Sequence, residues 1–248
     1  MSDRRNGDVT SAMAGLTAMR RAQSRLDGLV AATGDGWDDE PSLLPGWKRR
    51  HVVAHLARNA DGVVNLLTWA ATGIEHPMYG SPHEQAARIE ESARQSYAEL
   101  REDYRLSGER FWRAAGDMPT AAWSERVAPR AGIWLTAAKL PWLRLGEILI
   151  HAVDLDCGFT FADVVALAGE HIDGLCAYVV GVYAGRPGVP AVELTMFLPS
   201  GEKRLYAFGE GRPARISGSA DSALAWLTGR STGDHLDGPV PALPTWLV

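Results

Sequence analysis

The sequence predicts a mainly α protein that ends in a small α+β domain, and two features of its hydrophobic pattern support this fold class. Long stretches of the first part of the chain place apolar residues three and four positions apart, as the buried face of a helix requires. After Gly185-Arg-Pro-Gly188 the apolar residues occur in short or alternating runs, which are typical of strands. We therefore expect a helical domain over residues 1–158 and an α+β domain over residues 159–248.

The helical domain should contain four long helices. Gly73 is placed to cap the second helix, Ser81 and Pro82 are placed to begin the third, and Gly108 is a possible interruption within it. Four helices with connections of mixed length indicate an antiparallel bundle. The predicted helices cover residues 11–30, 48–72 and 81–115, and a fourth helix has Pro141 in its first turn or at a kink and contains residues 144–156.

Shorter elements complete the prediction. Residues 123–135 are either irregular or a short hairpin with Ala131-Gly132 at its turn. The second domain should begin with a helix, followed by strands, a short capped helix and a Pro-rich end that lies extended along the surface. These segments cover residues 162–183 (helix), 192–198, 204–208 and 214–217 (strands), 219–229 (helix) and 238–248 (extended end).

Composition excludes several classes of protein. A net charge of −5 over 248 residues does not support a broad basic surface for nucleic acid. The polar first residues do not form a signal peptide, and no apolar run reaches the roughly 18 residues of a membrane-spanning helix. The two cysteines, Cys157 and Cys176, lack C-x-x-C spacing and predict no disulfide framework. We expect a soluble cytoplasmic protein without a nucleic-acid or membrane partner.

The fourth predicted helix carries the residues of greatest chemical interest, Glu147 and His151. A spacing of four residues places both side chains on one face, where they either bind one metal ion together or hydrogen-bond to each other. The second helix lies beside the fourth in a bundle and offers His51 or His55 as a third ligand. Two histidines and one carboxylate suit a catalytic zinc or a non-haem iron site, and the spacing does not choose between these metals or histidines.

Three stretches of the chain resemble the mycothiol-dependent maleylpyruvate isomerase family. The likeness covers nearly the whole chain in order, and it extends to the wider group of DinB-like four-helix bundles. The second domain resembles sterol carrier proteins. The stretches are Leu43-Leu-Pro-Gly-Trp-Lys-Arg-Arg-His-Val-Val-Ala-His55-Leu-Ala-Arg-Asn59 with Trp69–Gly73 and Pro77–Tyr79, then Glu147-Ile-Leu-Ile-His151-Ala-Val-Asp-Leu155, and finally Ile216–Ser219 with Gly229-Arg230.

The resemblance implies a particular activity and a particular set of site residues. The activity is cis–trans isomerisation of maleylpyruvate to fumarylpyruvate in the gentisate pathway, with mycothiol as the thiol cosubstrate. The metal implied is zinc, bound by His55, Glu147 and His151 and not by His51. The resemblance also implies that Arg230 reaches the pocket from the second domain.

The expected contacts with the dicarboxylate substrate are less complete. One arginine of the family pattern is replaced by Gln85, with Arg88 one turn later, which leaves the carboxylate contact on that helix open. Arg144 lies three residues before Glu147 and either meets a substrate carboxylate or pairs with an acid at the surface. We therefore assign His55, Arg144 and Arg230 to catalysis, and Arg230 and Arg88 to cosubstrate binding.

Two other functions remain open at this stage. A zinc-dependent mycothiol S-transferase would use the same metal ligands and act on a different electrophile. A non-catalytic bundle would bind a lipid or a partner through its second domain. Asp154 and Asn59 are candidates for orienting a metal ligand, and neither cysteine is needed as a nucleophile because the cosubstrate supplies the sulfur.

Overall fold

The computed structural model describes residues 2–31, 34, 36–130 and 132–246, and it divides into two compact units, Met1–Phe159 and Thr160–Val248. The first unit is mainly helical and the second combines helices with a small sheet, which confirms the predicted fold class. The elements of the first unit are α1 (Ser2–Ala31), α2 (Arg49–Thr72), α3 (Pro82–Ala93), α4 (Tyr97–Gly116), β1 (Arg126–Arg130), β2 (Ile133–Thr136) and α5 (Leu140–Asp154).

Helices α1, α2, α4 and α5 form the four-helix bundle. Helix α2 packs against α4 and α5, and α1 packs against α5 and α4. Every residue of α5 is buried, including its charged ones. A helix that is buried on all sides lies at the centre of its fold, so α5 is the element around which the other three are arranged.

Most of the local signals in the sequence are confirmed. Gly73 ends α2 with φ of 71°, and its N–H donates to the carbonyl of Trp69 at 2.8 Å. The hydroxyl of Ser81 accepts from the backbone N–H of Glu84 at 3.1 Å, which caps α3. Pro141 lies in the first turn of α5, where its missing N–H breaks no helical hydrogen bond.

Two helices of the first unit differ from the prediction. The single helix expected over residues 81–115 is two helices, α3 and α4, and the break lies before Ser96 and not at Gly108. Ser96 begins α4 with a capping box, because its hydroxyl accepts from the N–H of Glu99 while the Glu99 carboxylate accepts from the N–H of Ser96. Helix α1 begins at Ser2 and not at residue 11. The prediction missed its first turns because they are polar and lack the apolar period that indicates a helix. Residues 123–135 do contain a hairpin, β1 with β2, although Ala131 at its turn lies outside the described residues.

The second unit is a three-stranded sheet with helices on its buried face. Strand β3 is central, antiparallel to β4 and parallel to β5, and it buries Val192, Leu194 and Met196. Alternate residues of a strand point to opposite faces, so these three form the helix-facing side of the sheet. The elements are α6 (Phe161–Ala168), α7 (Ile172–Gly181), β3 (Pro190–Phe197), β4 (Lys203–Phe208), β5 (Glu210–Ser219) and α8 (Ala220–Leu227).

Three expectations for the second unit are corrected. The predicted helix over residues 162–183 is interrupted at Gly169–His171 by a 3-10 turn. The stretch Phe161–Gly181 is, by length and composition, apolar enough to cross a membrane, although the sequence pattern suggested no such run. Its internal break and its partial burial make that composition weak evidence for a membrane span. Trp246 is buried, so the Pro-rich end does not lie on the surface at that point, and residues 247–248 lie outside the described part.

Candidate metal centre

The bundle brings His55 of α2 together with Glu147 and His151 of α5. The Nε2 atom of His55 lies 2.9 Å from Oε2 of Glu147, and Nε2 of His151 lies 3.3 Å from the same oxygen. One ligand atom from each residue falls within 4.8 Å of the other two, and all three residues are buried. This is the spacing at which two imidazoles and a carboxylate can close on one metal ion.

The environment of His151 fits a metal ligand. Its Nδ1 atom lies 2.8 Å from Oδ2 of Asp154, a carboxylate that is fully buried. Its Nε2 atom is buried and has no hydrogen-bond partner among the described residues. A carboxylate that accepts a hydrogen bond from Nδ1–H fixes the tautomer and leaves the Nε2 lone pair free to bind a cation. Two nitrogens and one oxygen, with a further position open, are the donor set of catalytic zinc sites.

Burial and mutual contacts shift the pKa values of all three residues. Burial opposes ionisation of Glu147, but the neighbouring His151 and His55 outweigh it and hold the pKa of Glu147 well below its usual range. Burial, together with the nearby His151, lowers the pKa of His55 and favours its neutral form. Burial acts in the same direction on His151, yet the contacts with Asp154 and Glu147 prevail and raise the pKa of that imidazole.

His51, the other histidine of α2, is engaged elsewhere. Its Nδ1 atom accepts a hydrogen bond from the backbone N–H of Lys48 at 3.0 Å, at the first turn of α2. Its Nε2 atom lies 3.7 Å from a carboxylate oxygen of Glu90 on α3. The ring of Trp47 lies near both histidines of the helix, with centroid distances of 6.2 Å to His51 and 5.8 Å to His55. The structure therefore groups His55, and not His51, with the residues of α5.

Arg144 is buried beside the same part of α2. Its Nη1 atom donates to the carbonyl of Leu56 at 2.8 Å and to Oδ1 of Asn59 at 3.0 Å. Its Nη2 atom is buried without a hydrogen-bond partner among the described residues, and burial lowers the pKa of the guanidinium. The alternative of a surface arginine paired with an acid is therefore wrong. Asn59, a candidate for orienting a metal ligand, instead holds this arginine.

The other two predicted arginines have contacts within their own units. Arg88 is exposed on α3 and pairs with Glu84 at 2.6 Å. Arg230 belongs to the second unit, where its Nη1 atom donates to the carbonyl of Thr228 at 2.6 Å. Its guanidinium carbon lies 5.9 Å from the centroid of the Trp246 ring. The substrate and cosubstrate roles assigned to both residues stay predictions.

Tyr79 is a neighbour of the site to which the sequence assigned no role. It lies half-buried in the connection between α2 and α3, and burial, with the negative charge of Glu147, raises the pKa of its hydroxyl. Its ring lies against α2 at Gly62, where a Cβ atom would come within 3.1 Å of it. A signal was present in the sequence, because Gly62 lies seven residues after His55 and so occupies the same face of α2.

Comparison with known proteins identifies the family. Residues 19–156 match the model of the mycothiol maleylpyruvate isomerase N-terminal domain. The chain belongs to this family. Two crystal structures are similar over nearly the whole chain, one of the mycothiol-dependent maleylpyruvate isomerase and one of a histidine-to-alanine mutant of it. Each has a TM-score of 0.76 and 28% sequence identity, and covers 98% of this chain and 97% of the other. A search of curated protein sequences gave no match.

Membership of the mycothiol maleylpyruvate isomerase family confirms the resemblance drawn from the sequence. The matched residues 19–156 include His55, Glu147 and His151, so the candidate metal site lies inside the domain that defines the family. The structural likeness extends beyond that domain and includes the second unit.

Proposed function

We propose that this chain is a zinc-dependent, mycothiol-using isomerase that converts maleylpyruvate to fumarylpyruvate in the cytoplasm, as a step of the gentisate pathway. The observation that carries the proposal is the buried cluster of His55, Glu147 and His151 in a chain of this family. The crystal structures that resemble it are of an enzyme named for this reaction and this thiol.

The three ligands and Asp154 have defined tasks in this proposal. When bound, a divalent cation at the site lowers the pKa of a thiol from about 8.5 and so supplies a thiolate near neutral pH. Neutral His55, neutral His151 and anionic Glu147 would balance only half of the charge of the ion. Asp154 accepts a hydrogen bond from Nδ1–H of His151, which holds the proton on Nδ1 and keeps that ring in the binding orientation. Burial of all three ligands keeps bulk water from competing with the thiol.

The reaction requires no net gain or loss of protons. The thiolate sulfur adds to one carbon of the cis double bond, a C–S bond forms, and the π electron pair moves to the conjugated carbonyl oxygen as an enolate. The former double bond is now single and rotates. The enolate electron pair then restores the double bond in the trans form and expels the thiolate, which is nucleophilic catalysis by a borrowed nucleophile.

The substrate is a dianion, so cationic side chains should bind it. Arg144 is supported by its place three residues before Glu147 on α5 and by its unpartnered Nη2 atom. We further propose Arg230 and Arg88 as contacts for the cosubstrate, with Arg230 also meeting a substrate carboxylate. A guanidinium can hold a carboxylate through two parallel hydrogen bonds.

The test is turnover of maleylpyruvate by the purified, zinc-assayed protein, followed in the ultraviolet with and without mycothiol. His55→Ala should lose both bound zinc and turnover. His51→Ala is the matched control on the same helix, and it should retain about one zinc per chain and near-normal turnover because His51 is outside the cluster.

Each other result has a distinct meaning. A wild-type protein that binds zinc but accumulates a stable thiol–substrate adduct would be an S-transferase and not an isomerase. A wild-type protein purified without chelators that contains no zinc would refute the proposed zinc centre. Loss of zinc in His51→Ala with retention in His55→Ala would refute the assignment of ligands.

A further inference from the structure

The two histidines of the candidate metal centre are oriented by different means. Nδ1 of His151 lies 2.8 Å from the carboxylate of Asp154, which holds that ring in place. Nδ1 of His55 is buried and has no hydrogen-bond partner among the described residues, although Nε2 of the same ring lies 2.9 Å from Glu147. The χ2 torsion of a histidine has broad minima, so a ring without a hydrogen bond on its outer nitrogen needs packing to hold it. Another group must therefore fix the His55 ring.

The rings of His151 and Trp47 lie against the His55 ring. The His151 ring meets it edge-on, with 4.5 Å between the two centroids. The Trp47 ring lies 5.8 Å from the His55 ring, centroid to centroid, at an interplanar angle of 52°. Aromatic rings at this separation attract each other beyond the apolar area that they bury. Because His151 is itself a candidate ligand, Trp47 is the ring that can hold His55 without being part of the centre.

The backbone of Trp47 is fixed within a short closed segment, residues 41–48, that precedes α2. The carbonyl of Trp47 accepts from the N–H of Ser42 at 2.9 Å and from its hydroxyl at 2.8 Å. The N–H of Trp47 donates to the carbonyl of Leu44 at 3.0 Å. A left-handed conformation at Gly46, with φ of 78°, allows the segment to close. With both of its backbone polar groups engaged, Trp47 presents its indole from a defined position.

The same segment is anchored to the C-terminal end of α5. The N–H of Leu43 donates to the carbonyl of Asp154 at 2.9 Å. Nε of Arg49, the first residue of α2, donates to the carbonyl of Leu155 at 2.7 Å. Carbonyls at the end of a helix have no intrahelical partner, so these contacts satisfy groups that would otherwise need water. The anchoring fixes the place of Trp47 relative to both helices that carry the candidate ligands.

We propose that Trp47 is a positioning residue of the metal centre, whose indole packs on the His55 imidazole and keeps Nε2 of that ring directed at the other two candidate ligands. This inference rests on the metal centre of the proposed function and adds a residue outside the metal-binding and arginine assignments. Trp47 does for His55 by packing what Asp154 does for His151 by a hydrogen bond. Loss of the indole leaves every ligand in the chain but frees one of them to turn away.

Trp47→Leu tests the proposal because it keeps an apolar side chain and removes the ring. We expect zinc affinity, measured by competition with a chelating dye, to fall about 10-fold, the lower end of the effect of losing an outer partner of a ligating histidine. Trp47→Phe restores an aromatic ring and should recover most of that affinity. The matched control is Trp112→Leu, the same substitution at a half-buried tryptophan of α4 whose ring lies 5.5 Å from that of Phe111. It should leave zinc affinity unchanged.

A spectroscopic measurement separates the position of His55 from the general stability of the fold. Cobalt(II) in place of zinc makes the centre visible, because its d–d absorption depends on the number and arrangement of the ligands. In Trp47→Leu the cobalt bands should shift and lose intensity, whereas Trp47→Phe and Trp112→Leu should keep the wild-type spectrum. A loss of stability alone would lower the denaturant midpoint and leave the cobalt spectrum unchanged.

Wild-type zinc affinity and an unchanged cobalt spectrum in Trp47→Leu would overturn this inference alone. A fall of about 10-fold in Trp47→Phe, which retains an aromatic ring, would also overturn it. So would equal losses in Trp47→Leu and Trp112→Leu, because the effect would then be one of general stability. A wild type that binds no zinc would overturn the proposed zinc centre and this inference with it. A wild type that binds zinc without isomerising maleylpyruvate would overturn the proposed reaction alone, because the affinity and cobalt measurements need no turnover.

Discussion

Asp154→Asn should weaken zinc binding without removing a metal ligand. The Asp154 carboxylate is fully buried and lies 2.8 Å from Nδ1 of His151, so its charge acts on that imidazole without screening by solvent. An asparagine preserves the volume, and its side-chain oxygen can still accept a hydrogen bond from Nδ1–H, but it removes the negative charge that makes His151 a more basic ligand. Loss of such a partner weakens metal binding about 10–100-fold, or about 1.4–2.7 kcal/mol.

The assay is competition for zinc with a chelating dye at fixed pH, using wild type and variant prepared in the same way. The backbone carbonyl of Asp154 accepts from the N–H of Leu43 at 2.9 Å, a contact that the substitution leaves in place, so the fold should be retained. Asp163→Asn is the matched control, because that carboxylate caps α6 in the second unit through Thr160. Equal zinc affinity in Asp154→Asn and wild type would refute the idea that Asp154 acts on the metal through His151.

Two further predictions concern residues outside the centre. Tyr104→Phe should lower the free energy of unfolding by about 2 kcal/mol, because Tyr104 is buried and its hydroxyl links Gln23 and Asp27 of α1 to α4. A denaturant midpoint equal to that of the wild type would contradict this prediction. Burial raises the pKa of the Cys176 thiol to about 12, so iodoacetamide at pH 8 should alkylate the partly exposed Cys157 first. Peptide mass spectrometry would measure the order of labelling. Faster labelling of Cys176 would mean that the second unit opens.

The sequence predicted the helical bundle and the approach of an α2 histidine to Glu147 and His151, because both depend on spacing along helices. Glu147 and His151 share a face of α5 by virtue of their separation alone, and bundle topology places α2 beside that helix. The choice between His51 and His55 could not be made by spacing, since the two residues are one turn apart on α2. The structure distinguishes them, because His51 lies in the first turn of α2 and accepts from the Lys48 N–H that begins the helix.

The hydrophobic pattern of the sequence could not predict that Arg144 is buried. Charged residues normally indicate the solvent face of a helix. That rule supported one of the two interpretations of Arg144, in which it pairs with an acid at the surface. Helix α5 breaks the rule because it is enclosed on all sides, and a backbone carbonyl of α2 and the amide of Asn59 replace the missing solvent around the guanidinium. The break between α3 and α4 was missed for a simpler reason, since Ser96 and Glu99 are a capping box that lies inside a continuous helical pattern.

The position of Tyr79 shows what kind of information the sequence holds only indirectly. A crossing between a connection and a helix is a tertiary contact, so no period in the chain near residue 79 encodes it. The sequence signal for this contact lies in α2. A glycine within a helix destabilises it by roughly 1 kcal/mol relative to alanine, so a helical glycine suggests a close packing contact. Gly62 lies on the face of α2 that carries His55, and its missing side chain is the space that the Met78-Tyr79 segment occupies. A glycine on the buried face of a bundle helix is therefore a reason to search for a second segment packed against that helix.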